Sequence, residues 1–191
     1  MNPAITNLAV TLIVMQVAKK VPFDDPNVLN GIRGLYVLSN IIILSIYLYT
    51  KSIINKKNDL TTMKYVEPPS PLSGQTEEKL VTTTVKEYDL TQVNSAIKGM
   101  ASGIAMLAFM HLYMKYTNPL LIQSILPLKS AIEQNIVQIH VFGKAASGDL
   151  KRPFKAASMF GAAGGQGEVK TDKKTIEQAE KAGTGGGIKE E

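Results

Sequence analysis

The chain contains no cysteine. That excludes disulfides, thiolate metal sites and cysteine nucleophiles, and it leaves the redox compartment unreadable. Histidine is almost as scarce: His111 and His140 fall in different segments, without HExxH spacing or a neighbouring run of carboxylates. A catalytic metal site and a cofactor are therefore not expected. Enzyme signatures are missing elsewhere too. The stretch GAAGGQG, Gly161 to Gly167, has glycine density but no following GK[ST] and no preceding strand pattern, so it reads as flexible linker rather than a phosphate-cradling loop. The adjacent acids Asp24-Asp25 and Glu77-Glu78 lie in polar stretches without a partner base. No Asn-x-Ser/Thr acceptor occurs, so glycosylation supplies no native marker of sidedness.

Charge is absent where it matters most. Seventeen positions from Gly34 to Thr50, GLYVLSNIIILSIYLYT, carry no charged side chain between Arg33 and Lys51. As a helix this run spans about 25 Å, and extending it back through Val28 reaches the roughly 30 Å of a bilayer's hydrocarbon layer. Met1 to Ala18 are likewise uncharged and end at the Lys19-Lys20 pair. They read as a first crossing. A signal peptide is the competing reading, but it would place its basic residues before the apolar run rather than after it. Between Gly99 and Leu128 the only fully charged side chain is Lys115, which predicts a third crossing from about Lys98 to Thr117, ended by Asn118-Pro119. The near-zero mean hydropathy of +0.03 is thus an average of very apolar and very polar segments.

These features predict an all-α membrane protein with about three transmembrane helices, an interfacial or re-entrant helix and a disordered basic tail. Residues 1–50 form an N-terminal transmembrane hairpin whose turn, Lys19 to Asn27, makes its two helices antiparallel neighbours. Residues 51–97 form a polar connection in which LVTTTVKEY, Leu80 to Tyr88, has the β-branched bias of a short strand. Asp89 or Thr91 then caps the entry to the third helix. Residues 98–142 hold the third crossing and a stretch after Pro119 interrupted by Gln123, Pro127, Lys129 and Glu133, which suits an interfacial or re-entrant helix. Residues 143–191 hold ten of the fifteen glycines and form the low-complexity tail, with a short helix from about Asp172 to Ala182 stopped by Gly183.

Lysines beside membrane ends prefer the cytosolic side, and Lys51, Lys56, Lys57 and Lys64 follow the second helix closely. This places residues 51–97 and the N-terminus in the cytosol. The basic tail, with Lys144, Lys151, Arg152 and Lys155, also prefers the cytosol, which requires residues 118–141 to return across or loop back within the membrane. Three crossings with a lumenal N-terminus and a lumenal connection are the alternative. Either way the basic residues, within a net charge of +5, are candidates to touch anionic lipid or ribosomal RNA.

Polar groups within apolar segments are costly against lipid and should face protein or water. Arg33, Tyr36, Asn40 and Tyr47 share one face of the second helix, His111 and Lys115 are four apart on the third, and Gln16 lies near the end of the first. Together these residues predict a hydrated intramembrane groove. The bland alternative is that Arg33 and Lys115 snorkel to opposite interfaces while the tyrosines form aromatic belts. A second stripe on the third helix, Gly99, Gly103, Met106, Met110 and Met114, combines a GxxxG step for close helix approach with deformable methionines that pack against neighbours, lipid or clients.

Longer motifs resemble a known family. NDLTTMKYVEP at Asn58 to Pro68, HLYMKYTNPL at His111 to Leu120, GDLKRPFKA at Gly148 to Ala156, the DPN of the hairpin turn and KTDKK at Lys170 to Lys174 are similar to the fungal endoplasmic-reticulum membrane proteins named both as inorganic phosphate transport proteins and as the third component of the SRP-independent (SND) targeting pathway. The resemblance implies residence in the endoplasmic-reticulum membrane and a role in targeting or inserting membrane proteins near the Sec translocon and other SND components. It also implies a genetic link to phosphate uptake, and it carries over no catalytic residue. Three readings compete: a targeting or insertion factor that holds client helices in the groove while basic segments meet ribosome or translocon, a phosphate transporter or maturation factor for one, and a structural membrane adaptor. Transport would need a closed anion path with several cationic donors at mid-membrane, usually from internal repeats, and none is visible.

Overall fold

A computed structural model describes residues 3–67, 79–154 and 171–184. The chain divides into two compact units, one formed by residues 1–57 and 89–144, the other by residues 58–88 and 145–191. The first unit is helical. Helix α1 covers Pro3–Ala18 and α2 covers Pro26–Lys57. Helix α3, Val85–Ala108, enters from the second unit and continues through a π-helical turn at Phe109–Tyr113; α4 is Pro119–Glu133 and α5 is Asn135–His140.

Side-chain contacts fix the directions of these helices. Arg33 of α2 meets His111 beyond the end of α3, and Lys51 of α2 meets Asn94 of α3 at 3.1 Å, so α2 and α3 are antiparallel. Lys129 of α4 donates to Thr6 and Asn7 of α1 at 3.2 and 2.6 Å and to Glu133 at 2.5 Å. At the other end, Val14 of α1 packs in one cluster with Ile32, Leu107, Leu120 and Leu121. The four long helices therefore alternate in direction. One end of the unit carries Arg33 and His111, and the opposite end carries Lys51, Asn94, Lys129, Asp89 and His140.

The sequence places α1 beside α2, as the two arms of a hairpin. In the structure α1 packs mainly along α4 instead. A long-range contact accompanies this packing: Lys129 finds two oxygen partners at the polar end of α1. Helices α2 and Val85–Tyr113 are long and apolar enough to cross a membrane, whereas the apolar part of α1, Ile5–Ala18, is shorter. At 1.5 Å per residue the 16 residues of α1 reach about 24 Å. Leu8, Leu12 and Ile13 of α1, Val37, Leu38 and Ile41 of α2, and Phe109, Leu112 and Met114 beyond α3 are all exposed. So much contiguous apolar surface is unfavourable against water and suits lipid.

The helix ends have chemical causes. Asp25 accepts from the Asn27 amide at 2.8 Å to start α2, and Asn58 at φ 45° stops it in the left-handed conformation that asparagine tolerates. Expected to enter at a cap on Asp89 or Thr91 and to cross from about Lys98, the third long helix starts already at Val85, directly after a strand. Its start is capped by Thr84, whose side-chain oxygen accepts from the Glu87 amide at 3.2 Å. It also ends before Thr117, because Lys115 turns left-handed at φ 57°. The stretch after Pro119 is one 15-residue helix that runs through Pro127, followed by α5.

The second unit contains an antiparallel pair, β1 at Thr62–Glu67 and β2 at Lys79–Thr84, with Tyr65 opposite Val81. Of the expected strand Leu80 to Tyr88 only the part up to Thr84 lies in β2, and Val85 to Tyr88 already belong to α3; β1, TMKYVE, alternates less clearly. Tyr65, Tyr88 and Phe154 stack edge to face at 5.8 and 5.5 Å. Burial, reinforced by the nearby Glu67 carboxylate, holds the Tyr65 phenol well above the usual tyrosine range. Helix α6, Lys173–Thr184, packs on this ribbon, where Lys64 meets Glu180 at 2.6 Å. It begins where the short helix is expected, at about Asp172, but runs through Gly183 to Thr184 instead of stopping at that glycine, and the rest of the expected disordered tail, residues 155–170 and 185–191, lies outside the described residues.

Candidate functional site: a polar recess among apolar helices

Helices α2 and α4 pack closely together, but α3 stands off from both. They leave an open recess of about 230 Å³. From α2 it is lined by Tyr36, Asn40, Ile43 and Tyr47, which recur every three or four residues and so share one helical face. From α3 come Ala96, Gly99, Met100, Gly103 and Ile104, and from α4 Gln123, Pro127 and Ser130. No lysine, arginine, histidine, aspartate or glutamate lines it.

Gly99 and Gly103 explain why the space exists. The GxxxG step predicts close helix approach, but a Cβ added at either glycine would meet nothing within 4 Å. The glycines therefore form an open wall rather than a helix contact. Of the methionines, Met106 and Met114 are 63% and 61% exposed and Met110 is half-buried; none of the three lines the recess, and Met100, one turn earlier, does.

The polar wall is incompletely satisfied. Asn40 donates to the Tyr36 carbonyl of its own helix at 2.8 Å. Tyr47 is 5% exposed and, among the described residues, its hydroxyl has no hydrogen-bond partner; the same holds for the side chains of Gln123 and Ser130. A lining of this kind has room and partners for water.

The other expected groove residues are placed elsewhere. Arg33 donates from Nε to His111 Nε2 at 3.0 Å and from Nη1 to Asn30 at 3.0 Å, one turn before Tyr36 but outside the recess. His111 is 8% exposed, and its Nδ1 is buried without a partner. The π-helical turn and the left-handed Lys115 break the shared face expected for His111 and Lys115. Lys115 and Gln16 are both exposed and join no common cavity. Of the basic residues, Lys51, Lys56, Lys57 and Lys144 belong to the helical unit, whereas Lys64, Lys151 and Arg152 belong to the other, with the Arg152 guanidinium 6.0 Å from the Phe154 ring; Lys155 lies outside the described residues.

Two groups were illegible as partners in sequence. Gln123 and Pro127 register as interruptions of an apolar run, although with Ser130 their four-then-three spacing is that of one helical face. The second is a buried pair: Asp89, 1% exposed, meets His140 Nε2 at 2.7 Å and ties the start of α3 to the end of α5. Fifty-one residues separate the two, and no local pattern announces the contact.

A mostly helical chain with two helices of membrane-crossing length, lipid-suited outer faces and an uncharged polar recess defines a class of membrane-associated helical proteins. The profile of the family described as "Phosphate transport (Pho88)" matches residues 1–187, and the chain belongs to that family. It is 54% identical over 186 residues to SRP-independent targeting protein 3 of Saccharomyces cerevisiae, covering 97% of this chain and 98% of that protein. It is 44% identical over 179 residues to the SRP-independent targeting protein 3 homolog of Schizosaccharomyces pombe, covering 94% and 91%. An uncharacterized protein of the same fission yeast is 50% identical over 162 residues, covering 84% and 80%. No solved structure matches the chain at a significant level.

Proposed function

We propose that this protein acts in SRP-independent targeting and insertion of membrane proteins at the endoplasmic reticulum, and that the recess between α2, α3 and α4 receives client helices. The names of two relatives support the pathway. The observation that carries the mechanism is the recess itself: unpaired polar groups and open glycines set among helices whose other faces are apolar and exposed. A client's polar side chain would find partners there while its apolar face stays against lipid, which lowers the cost of entering the bilayer. The basic segments, Lys51 to Lys57 and Lys144 among them, would meet ribosome or translocon.

A phosphate path is poorly served by this geometry. An anion needs cationic or helix-terminal donors, and the recess offers no charge of either sign. The phosphate in the family description fits better with impaired biogenesis of a separate carrier.

Photocrosslinkers placed at Asn40 and Met100 during translation of a membrane-protein client should both capture nascent chain, while one at the lipid-facing Met106 should capture little. Equal capture at all three positions would remove the case for the recess. Phosphate flux into liposomes holding only the purified protein would overturn the ranking of functions.

The alternating helices also set an expected topology. With α1 and α4 aligned against the longer helices, the end carrying Lys57 and Lys144 should face the cytosol and the end carrying Asp24 and Lys115 the lumen. The absence of native cysteine makes this directly measurable. Single cysteines at Lys57 and Lys144 should react with an impermeant maleimide in intact microsomes, and those at Asp24 and Lys115 only after permeabilisation. Labelling of positions 57 and 144 from opposite sides would contradict it.

A further inference from the structure

We infer that the recess selects transmembrane segments bearing an uncharged hydrogen-bonding side chain, such as asparagine, glutamine, serine or threonine, over purely apolar segments and over segments with a buried charge. The inference rests on the reading of the recess as a client site. Its basis is the chemistry of the lining. Tyr47, Gln123 and Ser130 together present two hydroxyls and one amide, each able both to donate and to accept, and each without a partner among the described residues. Tyr47 is the most telling of them, because its ring is buried while its hydroxyl has nothing to bond.

Three kinds of occupant have different balances. An all-leucine segment would displace water and leave these groups unsatisfied. A lysine or aspartate would lose its hydration and gain no counter-charge, since the lining has none. An amide or hydroxyl side chain would replace water with equivalent hydrogen bonds. The cavity, at about 230 Å³, holds side chains rather than a whole helix. The client backbone would instead run along the open wall at Gly99 and Gly103, where nothing blocks approach.

The test uses the full chain in microsomes, with a photocrosslinker at Met100 and model clients whose single leucine-rich segment carries Leu, Asn, Ser or Lys at its centre. Capture of the Asn and Ser clients should exceed that of the Leu client by about threefold for each hydrogen bond gained. The Lys client should fall at or below the Leu level. Tyr47→Phe and Gln123→Leu, made separately, should each reduce the Asn advantage over Leu, because each removes a partner that the amide bonds and that a Leu client leaves unsatisfied. Equal capture of all four clients would overturn the selectivity and leave the client site standing. Capture of none would overturn the client site as well.

Discussion

Asp89→Ala should lower the stability of the helical unit by about 1 to 3 kcal/mol, the cost of leaving a buried hydrogen-bonding group without its partner. Asp89 and His140 meet at 2.7 Å with side-chain exposures of 1% and 5%. Removing the carboxylate leaves the imidazole facing a hole in a site that water reaches poorly. For a helical unit of this size the midpoint of thermal unfolding in detergent should drop by on the order of 10 °C. Asp89→Asn, which keeps an acceptor for His140, should cost less. The paired replacement Asp89→Leu with His140→Leu should recover part of the loss, because neither member of the pair is then left facing an empty partner position. A single-variant loss below about 1 kcal/mol would show that the contact contributes no more than an exposed pair.

Gly103→Leu should separate stability from function. A Cβ there meets nothing within 4 Å, and leucine favours a helix interior over glycine by roughly 0.5 to 1 kcal/mol, so the variant should fold at least as well as the parent. The added side chain projects into the recess that Gly103 lines. Capture of clients from Met100 should then fall by on the order of tenfold, as if about 1.4 kcal/mol of contact were denied. Unchanged thermal unfolding with lost capture would mark the space, rather than the fold, as the working part. Retained capture in a correctly folded Gly103→Leu would argue that clients pass along another face.

The contrast between what composition reveals and what it hides follows from the range of each interaction. The uncharged run Gly34 to Thr50 and the four-residue rhythm of Tyr36, Asn40 and Tyr47 are local, so the chain displays them directly. The β2 strand and the α6 helix were visible for the same reason. By contrast, Lys129 interrupts an apolar run as if to break a helix, yet it sits inside α4 because Thr6 and Asn7, more than a hundred residues away, satisfy it. The pairing of Asp89 with a histidine 51 residues away has the same character. Glycine was the most misleading residue. Gly99 and Gly103 carry a motif for close packing, and only the spacing of three helices around them shows that here the motif holds a space open.

The helical unit is assembled from residues 1–57 and 89–144, with a separate unit interposed. This division has a consequence for the order of events on the ribosome. The first two helices are synthesised well before α4, the main neighbour of α1, so the N-terminal half must wait at the membrane with Thr6 and Asn7 lacking their eventual lysine. Closure can come only after residue 129 has emerged, and a chain halted after α3 would remain an unlatched intermediate.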